Sequence, residues 1–126
     1  MEIGDVYLVT DNRIDNHARV VISNPDSNPN QVVWVNFTGA EGEFRDHSCI
    51  LEIGDHPWIT KQTCISYKDA RLVKQSDVDR WVQAGTIKKL VPVSDSVITK
   101  ILEGAEATEE LPGKCQRVLF DQDLIS

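Results

Sequence analysis

The sequence predicts an α+β domain, mainly β, in which a small, strongly bent antiparallel sheet is packed by C-terminal helices. Three observations lead there. Apolar residues alternate with a period of two through residues 1–73 and recur at helical spacing through residues 74–126. Long polar loops separate short runs of β-branched and aromatic residues, a pattern that favours a partly closed barrel of five or six strands. A length of 126 residues suits one domain, with a β half and a helical half, able to bury a core without disulfides or metals.

The first strand is expected at residues 6–9 (VYLV), introduced by Gly4 and Asp5. A polar loop follows at 11–16. The second strand, 17–23 (HARVVIS), alternates Ala18, Val20 and Ile22 with His17, Arg19 and Val21. NPDSNPN at 24–30 holds two Asn-Pro pairs and reads as a loop. The third strand, 31–38, carries Val33, Val35 and Phe37 on one face and Val32, Trp34 and Asn36 on the other. Two largely apolar faces predict a central strand covered on both sides. An exposed connection, 39–45, leads to a short strand at 47–51, a Gly-Asp-His-Pro turn at 54–57, and a fifth strand at 63–67. Residues 70–73 read as a last short strand or a turn.

After that the period changes. Ser76 is expected to cap a helix bearing Val78, Trp81 and Val82 on one stripe, stopped by Gly85. Residues 86–93 look extended. Ser94 is expected to cap a longer helix with Val97, Ile98, Ile101 and Leu102 on its apolar face, and Pro112 to start a last one bearing Cys115, Val118 and Leu119.

Composition narrows the functional classes. Hydrophobic residues at 40% and charged residues at 26% are ordinary for a soluble chain. No apolar run approaches a membrane span, and MEIGDVYLVT lacks a basic-then-apolar leader, so a cytoplasmic protein with no membrane partner is expected. The net charge of −7 argues against a general nucleic-acid coat. Residues 1–73 hold 6 Lys/Arg against 11 Asp/Glu, and residues 74–126 hold 7 against 9, so neither half is a basic footprint. Cys49, Cys64 and Cys115 form an odd, loosely spaced set, expected as buried free thiols.

The order of features resembles a known family. Gly4-Asp5-Val6 opening a strand, Ala18-Arg19-Val20-Val21-Ile22 as the second, and residues 32–38 as the third resemble the PemK/MazF-like toxins. The segment 46–72 and the helical end complete the similarity. The resemblance implies an SH3-like barrel with appended helices, homodimers, metal-independent cleavage of single-stranded RNA, and an antitoxin that covers the RNA-binding surface. Arg19 matches a family arginine by position, and His17 falls where some members keep a catalytic histidine. The late strand departs from the family, since CISY at 64–67 has Lys68 and Arg71 only at its exit.

The stretch 46–71 concentrates the chemistry, with two of three histidines and two of three cysteines. Metal-free RNA cleavage needs a base for the 2′-hydroxyl, an acid for the leaving oxygen and a cation for the phosphate. His17, His47 and His56 are the candidates for proton transfer. Arg19, Lys61, Lys68 and Arg71 are the candidates for phosphate, and Tyr67 for stacking on a base. The bland alternative makes His56 a turn residue bonded to a backbone carbonyl and His47 a surface residue. Zinc would draw on His47, Cys49, His56 and Cys64, but no close Cys-x-x-Cys pair is present, so no metal or other cofactor is expected. Trp34 and Trp81 read as core, and Trp58 as an open contact. Asp46 and Asp55 each precede a histidine, but neighbours on an extended chain point apart, so neither pair is a dyad.

The leading expectation is therefore a toxin-like endoribonuclease. The alternatives are a non-catalytic SH3-like protein-binding module, a degenerate relative of the toxins, and a poison of a protein target such as gyrase. At least two histidines and a cation around one concave rim would favour the nuclease. His17, His47 and His56 scattered over separate faces would replace the nuclease reading with the binding module.

Overall fold

The computed structural model describes residues 1–9, 17–43 and 45–126. The loop expected at 11–16 lies outside them. Nine elements follow in order: β1 (Val6–Val9), β2 (Ala18–Val21), β3 (Val32–Gly39), β4 (Ile50–Leu51), β5 (Thr63–Val73), α1 (Gln75–Gln83), β6 (Ile87–Leu90), α2 (Asp95–Ala107) and α3 (Gly113–Asp121). The strands form one antiparallel sheet in the order β4-β5-β3-β2-β1-β6. It is an α+β fold, mainly β. Among the described residues the sheet has two edges, β4 and β6, and does not close into a barrel.

Period-two alternation divides the sheet between two cores. Val6, Ala18, Val20, Val33, Val35, Phe37, Ile65 and Tyr67 face one side, where α2 and α3 bring Val97, Ile98, Ile101, Cys115, Val118 and Leu119. Tyr7, Val21, Val32 and Trp34 face the other, joined by Ile87 and covered by Val78 of α1. Trp81 and Val82 pack at its edge. β3 is thus central and apolar on both sides, as its alternation predicts. All three cysteines are buried free thiols.

Several boundaries differ from the sequence expectation. β5 is one strand of 11 residues instead of two short ones. Its ladder with β3 pairs Trp34 with Arg71 and Asn36 with Ser66, so two steps on β3 span five on β5. That bulge absorbs residues 67–70 and bends the strand, a break that hides its continuity from the alternation. The strand expected at 47–51 shrinks to two residues. α1 begins two residues early, after Lys74, with no side-chain cap, so Ser76 lies inside the helix. Ser94 does cap α2, accepting from the Val97 N–H at 3.3 Å.

Two close approaches tie the halves together. The buried Tyr67 hydroxyl donates to the Ile101 carbonyl of α2 at 2.6 Å. Burial pushes this phenol far above its usual pKa, so it stays a donor. Gly104, one turn on, leaves the room: a Cβ there would meet the Tyr67 hydroxyl, Cys49 Cβ at 2.7 Å and Ser48 O at 2.9 Å. Beside it, Asp46 accepts from the Ser48 N–H at 2.9 Å, the Ser48 hydroxyl at 2.6 Å and the Thr108 hydroxyl at 2.5 Å. At the other end, Gly4 (φ +97°) sits where its carbonyl accepts from Val93 N at 2.9 Å and its N–H reaches Val21 O at 2.8 Å. Only glycine adopts that backbone readily.

Gly104→Ala is expected to cost about 1–3 kcal/mol, since backbone and Cβ atoms must shift to admit the methyl. A urea midpoint equal to that of the unchanged chain would contradict the close approach. Asp46 gives a pH test. Partial burial raises its pKa, but the Ser48 and Thr108 hydrogen bonds outweigh this and hold it below its ordinary value. A depressed folded pKa contributes stability above the unfolded value, about 3.9, that is lost as pH falls through the folded one. The stability gap between the unchanged chain and Asp46→Asn should therefore be constant near neutrality and shrink below about pH 4.

Candidate functional site

The face shared with α1 is covered only at one end. Beyond Trp34 it turns polar, and strand register lays out what it carries. Arg19 of β2 pairs with Asn36 of β3, which pairs with Ser66 of β5. Trp34 pairs with Arg71. His17, two residues before Arg19, falls on the same face by alternation. Together His17, Arg19, Asn36, Asp69 and Arg71 line a depression of ≈ 300 Å³.

Its electrostatics are unbalanced. Burial lowers the pKa of Arg19, and the neighbouring Arg71 charge lowers it further, with Asp69 only partly opposing. Among the described residues neither guanidinium forms an ion pair. Arg19 lies 5.6 Å over the Trp34 ring, a cation–π contact that props it in place. Arg71 donates to the Ala70 carbonyl at 2.9 Å. Asp69 accepts from the Ser66 hydroxyl at 2.6 Å, a bond the β5 bulge makes reachable. The Asn36 carboxamide oxygen is buried without a partner among the described residues. Two like charges held side by side on an acidic chain are relieved by an anion, and phosphate suits paired guanidiniums.

His17 completes the cluster. Its Nδ1 lies 3.2 Å from the Phe37 carbonyl. A carbonyl only accepts, so Nδ1 carries a proton, and in the neutral ring Nε2 is the acceptor nitrogen. His17 also borders a second depression of ≈ 480 Å³, with Phe37, Thr38, Trp58, Lys61 and Thr63 among its lining.

The other histidines go elsewhere. His56 is 3% exposed. Its Nε2 bonds the Val91 carbonyl at 2.7 Å and its Nδ1 accepts from the Trp58 N–H at 3.0 Å. Both nitrogens are used, and the ring lies 6.0 Å from that of Phe37. His56 is a structural residue that fixes the turn, and its expected place on a rim is corrected. His47 is exposed, bonds the Ala40 carbonyl at 2.9 Å, and lines neither depression. Tyr67 is fully buried beneath α2, so it offers no surface for a base; that expectation is corrected too. Lys61 lines the second depression, whereas Lys68 is exposed and lines neither. Trp58, 37% exposed, is the open aromatic contact its position after His-Pro suggests.

Asn36 and Asp69 are the residues the sequence reading passed over. Asn36 was visible as the one polar residue within VVWVNF. Asp69 was hidden by the bulge. The four residues considered for zinc do not converge, and among the described residues no three His, Cys, Asp or Glu side chains form a metal-sized cluster. No helix among the described residues is long and apolar enough to cross a membrane. No family model matches the chain, and no curated protein or solved structure matches it either.

His56→Ala should lower stability by about 2–3 kcal/mol, since it deletes a buried ring and strands two backbone partners. His47→Ala should stay within about 0.5 kcal/mol. Equal effects in thermal unfolding would refute this division of roles.

Proposed function

We propose that the chain binds single-stranded RNA on the His17–Arg19–Arg71 face and cleaves it there without a metal, as a toxin-like endoribonuclease. The observation that carries this reading is the pair of guanidiniums that form no ion pair among the described residues, beside a histidine whose Nδ1 is held by the Phe37 carbonyl. In this scheme Arg19 and Arg71 hold the phosphate. His17 Nε2 takes the proton from the 2′-hydroxyl as that oxygen bonds to phosphorus. The P–O5′ bond breaks and the 5′-oxygen takes a proton from water. Asp69, held by Ser66, keeps the cleft from carrying a full excess of two positive charges and faces the imidazolium as it forms. Kinship with the PemK/MazF-like toxins belongs to the same proposal, supported by the Gly4–Asp5 entry, the position of Arg19 and the sheet-then-helices order. So do an SH3-like ancestry of the open sheet, a homodimer, an antitoxin over this face and a cytoplasmic setting.

A second reading is favoured by one fact: a single histidine reaches the cleft, where the expected nuclease needed two. In it the chain is a degenerate relative that binds through this face without cutting.

Expression in bacteria with primer extension on total RNA separates these. Growth arrest with discrete stops, insensitive to chelator in purified form, is the expected result. His17→Ala should slow cleavage by about 10²- to 10⁴-fold with little change in binding. Arg71→Gln should weaken binding and flatten its salt dependence. Intact RNA with arrest points to a protein target, intact RNA without arrest to the binding module, and either outcome removes the nuclease.

A further inference from the structure

We propose that the depression beside His17, walled by Trp58, is a nucleobase site that receives the base next to the phosphate held by Arg19 and Arg71. The inference rests on the RNA-binding reading and names a part of it. Three observations support it.

The two depressions share His17 as a lining residue, so the imidazole is their common boundary. The chemistry changes across that junction, from two guanidiniums to aromatic carbon with Thr38, Thr63 and Lys61 around it. A nucleotide changes in the same sense, from phosphate to a flat ring with polar edges. A volume of ≈ 480 Å³ is within the range of small-ligand pockets, roughly 300–1,000 Å³.

Trp58 is also set in advance. Its backbone N–H donates to His56 Nδ1 at 3.0 Å, and His56 is in turn anchored to Val91 O at 2.7 Å. Its ring lies 6.5 Å from Phe37 at an interplanar angle of 32°. A large aromatic that is 37% exposed and projects from a backbone fixed in this way offers a stacking surface. The histidine expected to move protons thus acts at one remove from the ligand, by fixing the backbone at Trp58. His56 is a positioning residue here, and no group in this pocket is asked to do chemistry.

The test is fluorescence anisotropy on the full chain with a labelled single-stranded RNA hexamer and six variants, each abasic at one position. Trp58→Ala should raise Kd by about 5- to 150-fold, the range of one base–aromatic stack, and Trp58→Phe should recover most of the loss. One abasic hexamer should bind the unchanged chain more weakly by a similar factor, yet bind Trp58→Ala no more weakly than the intact hexamer does. Thermal unfolding confirms that both variants fold. Unchanged Kd for Trp58→Ala, with binding lost in Arg71→Gln, overturns the base site and leaves the RNA face standing. A Trp58→Ala loss that is the same on all seven hexamers also overturns it. Failure of the unchanged chain to bind any hexamer sinks the RNA-binding reading itself.

Discussion

One strand has to serve two cores and a cleft. β3 is apolar along the whole of the face turned to α2 and α3, but the opposite face is covered only as far as α1 extends. A helix of nine residues shelters the cluster around Tyr7, Val21, Val32 and Trp34. Where its shelter ends, the strand switches to Asn36, and the neighbouring strands answer with Arg19 and Ser66. The core and the candidate site are successive residues of one surface, so the rigidity of one is passed to the other without any loop between them. Arg19 shows the coupling directly, with its guanidinium resting on the indole that closes the smaller core.

The bulge in β5 is the second device. A regular strand would put one side chain opposite each β3 residue on this face. With five steps set against two, Ser66, Asp69 and Arg71 crowd beside Asn36 and Trp34. The same bend turns Tyr67 into the larger core, where its hydroxyl meets α2. Function-bearing density on one side and an anchoring contact on the other come from one local irregularity.

Legibility in the sequence follows from how local each cause is. The two faces of β3, the capping of α2 by Ser94 and the burial of the three cysteines depend on near neighbours and could be read in advance. So could the shared face of His17 and Arg19, two residues apart. The bulge could not, because alternation through residues 63–73 breaks where the pairing does, and Asp69 disappeared with it. His56 misled for a related reason. Its chemistry was plain but its partner was not, since the Val91 carbonyl that occupies it lies 35 residues along the chain. Tyr67 is similar, with the hydroxyl bonded 34 residues away. A histidine or tyrosine in a chemistry-rich stretch reads as available until the long-range partner is known.

The edges of the sheet have a consequence for how copies of this chain meet. Among the described residues β4 is an edge strand of two residues and β6 one of four, each paired on one side, and Lys88 and Lys89 of β6 are exposed. Extending a sheet from one molecule to the next needs a longer template than the first and a less repulsive one than the second. Crowded copies are therefore guarded against stacking into fibrils through their strands, and any orderly pairing is left to side-chain surfaces.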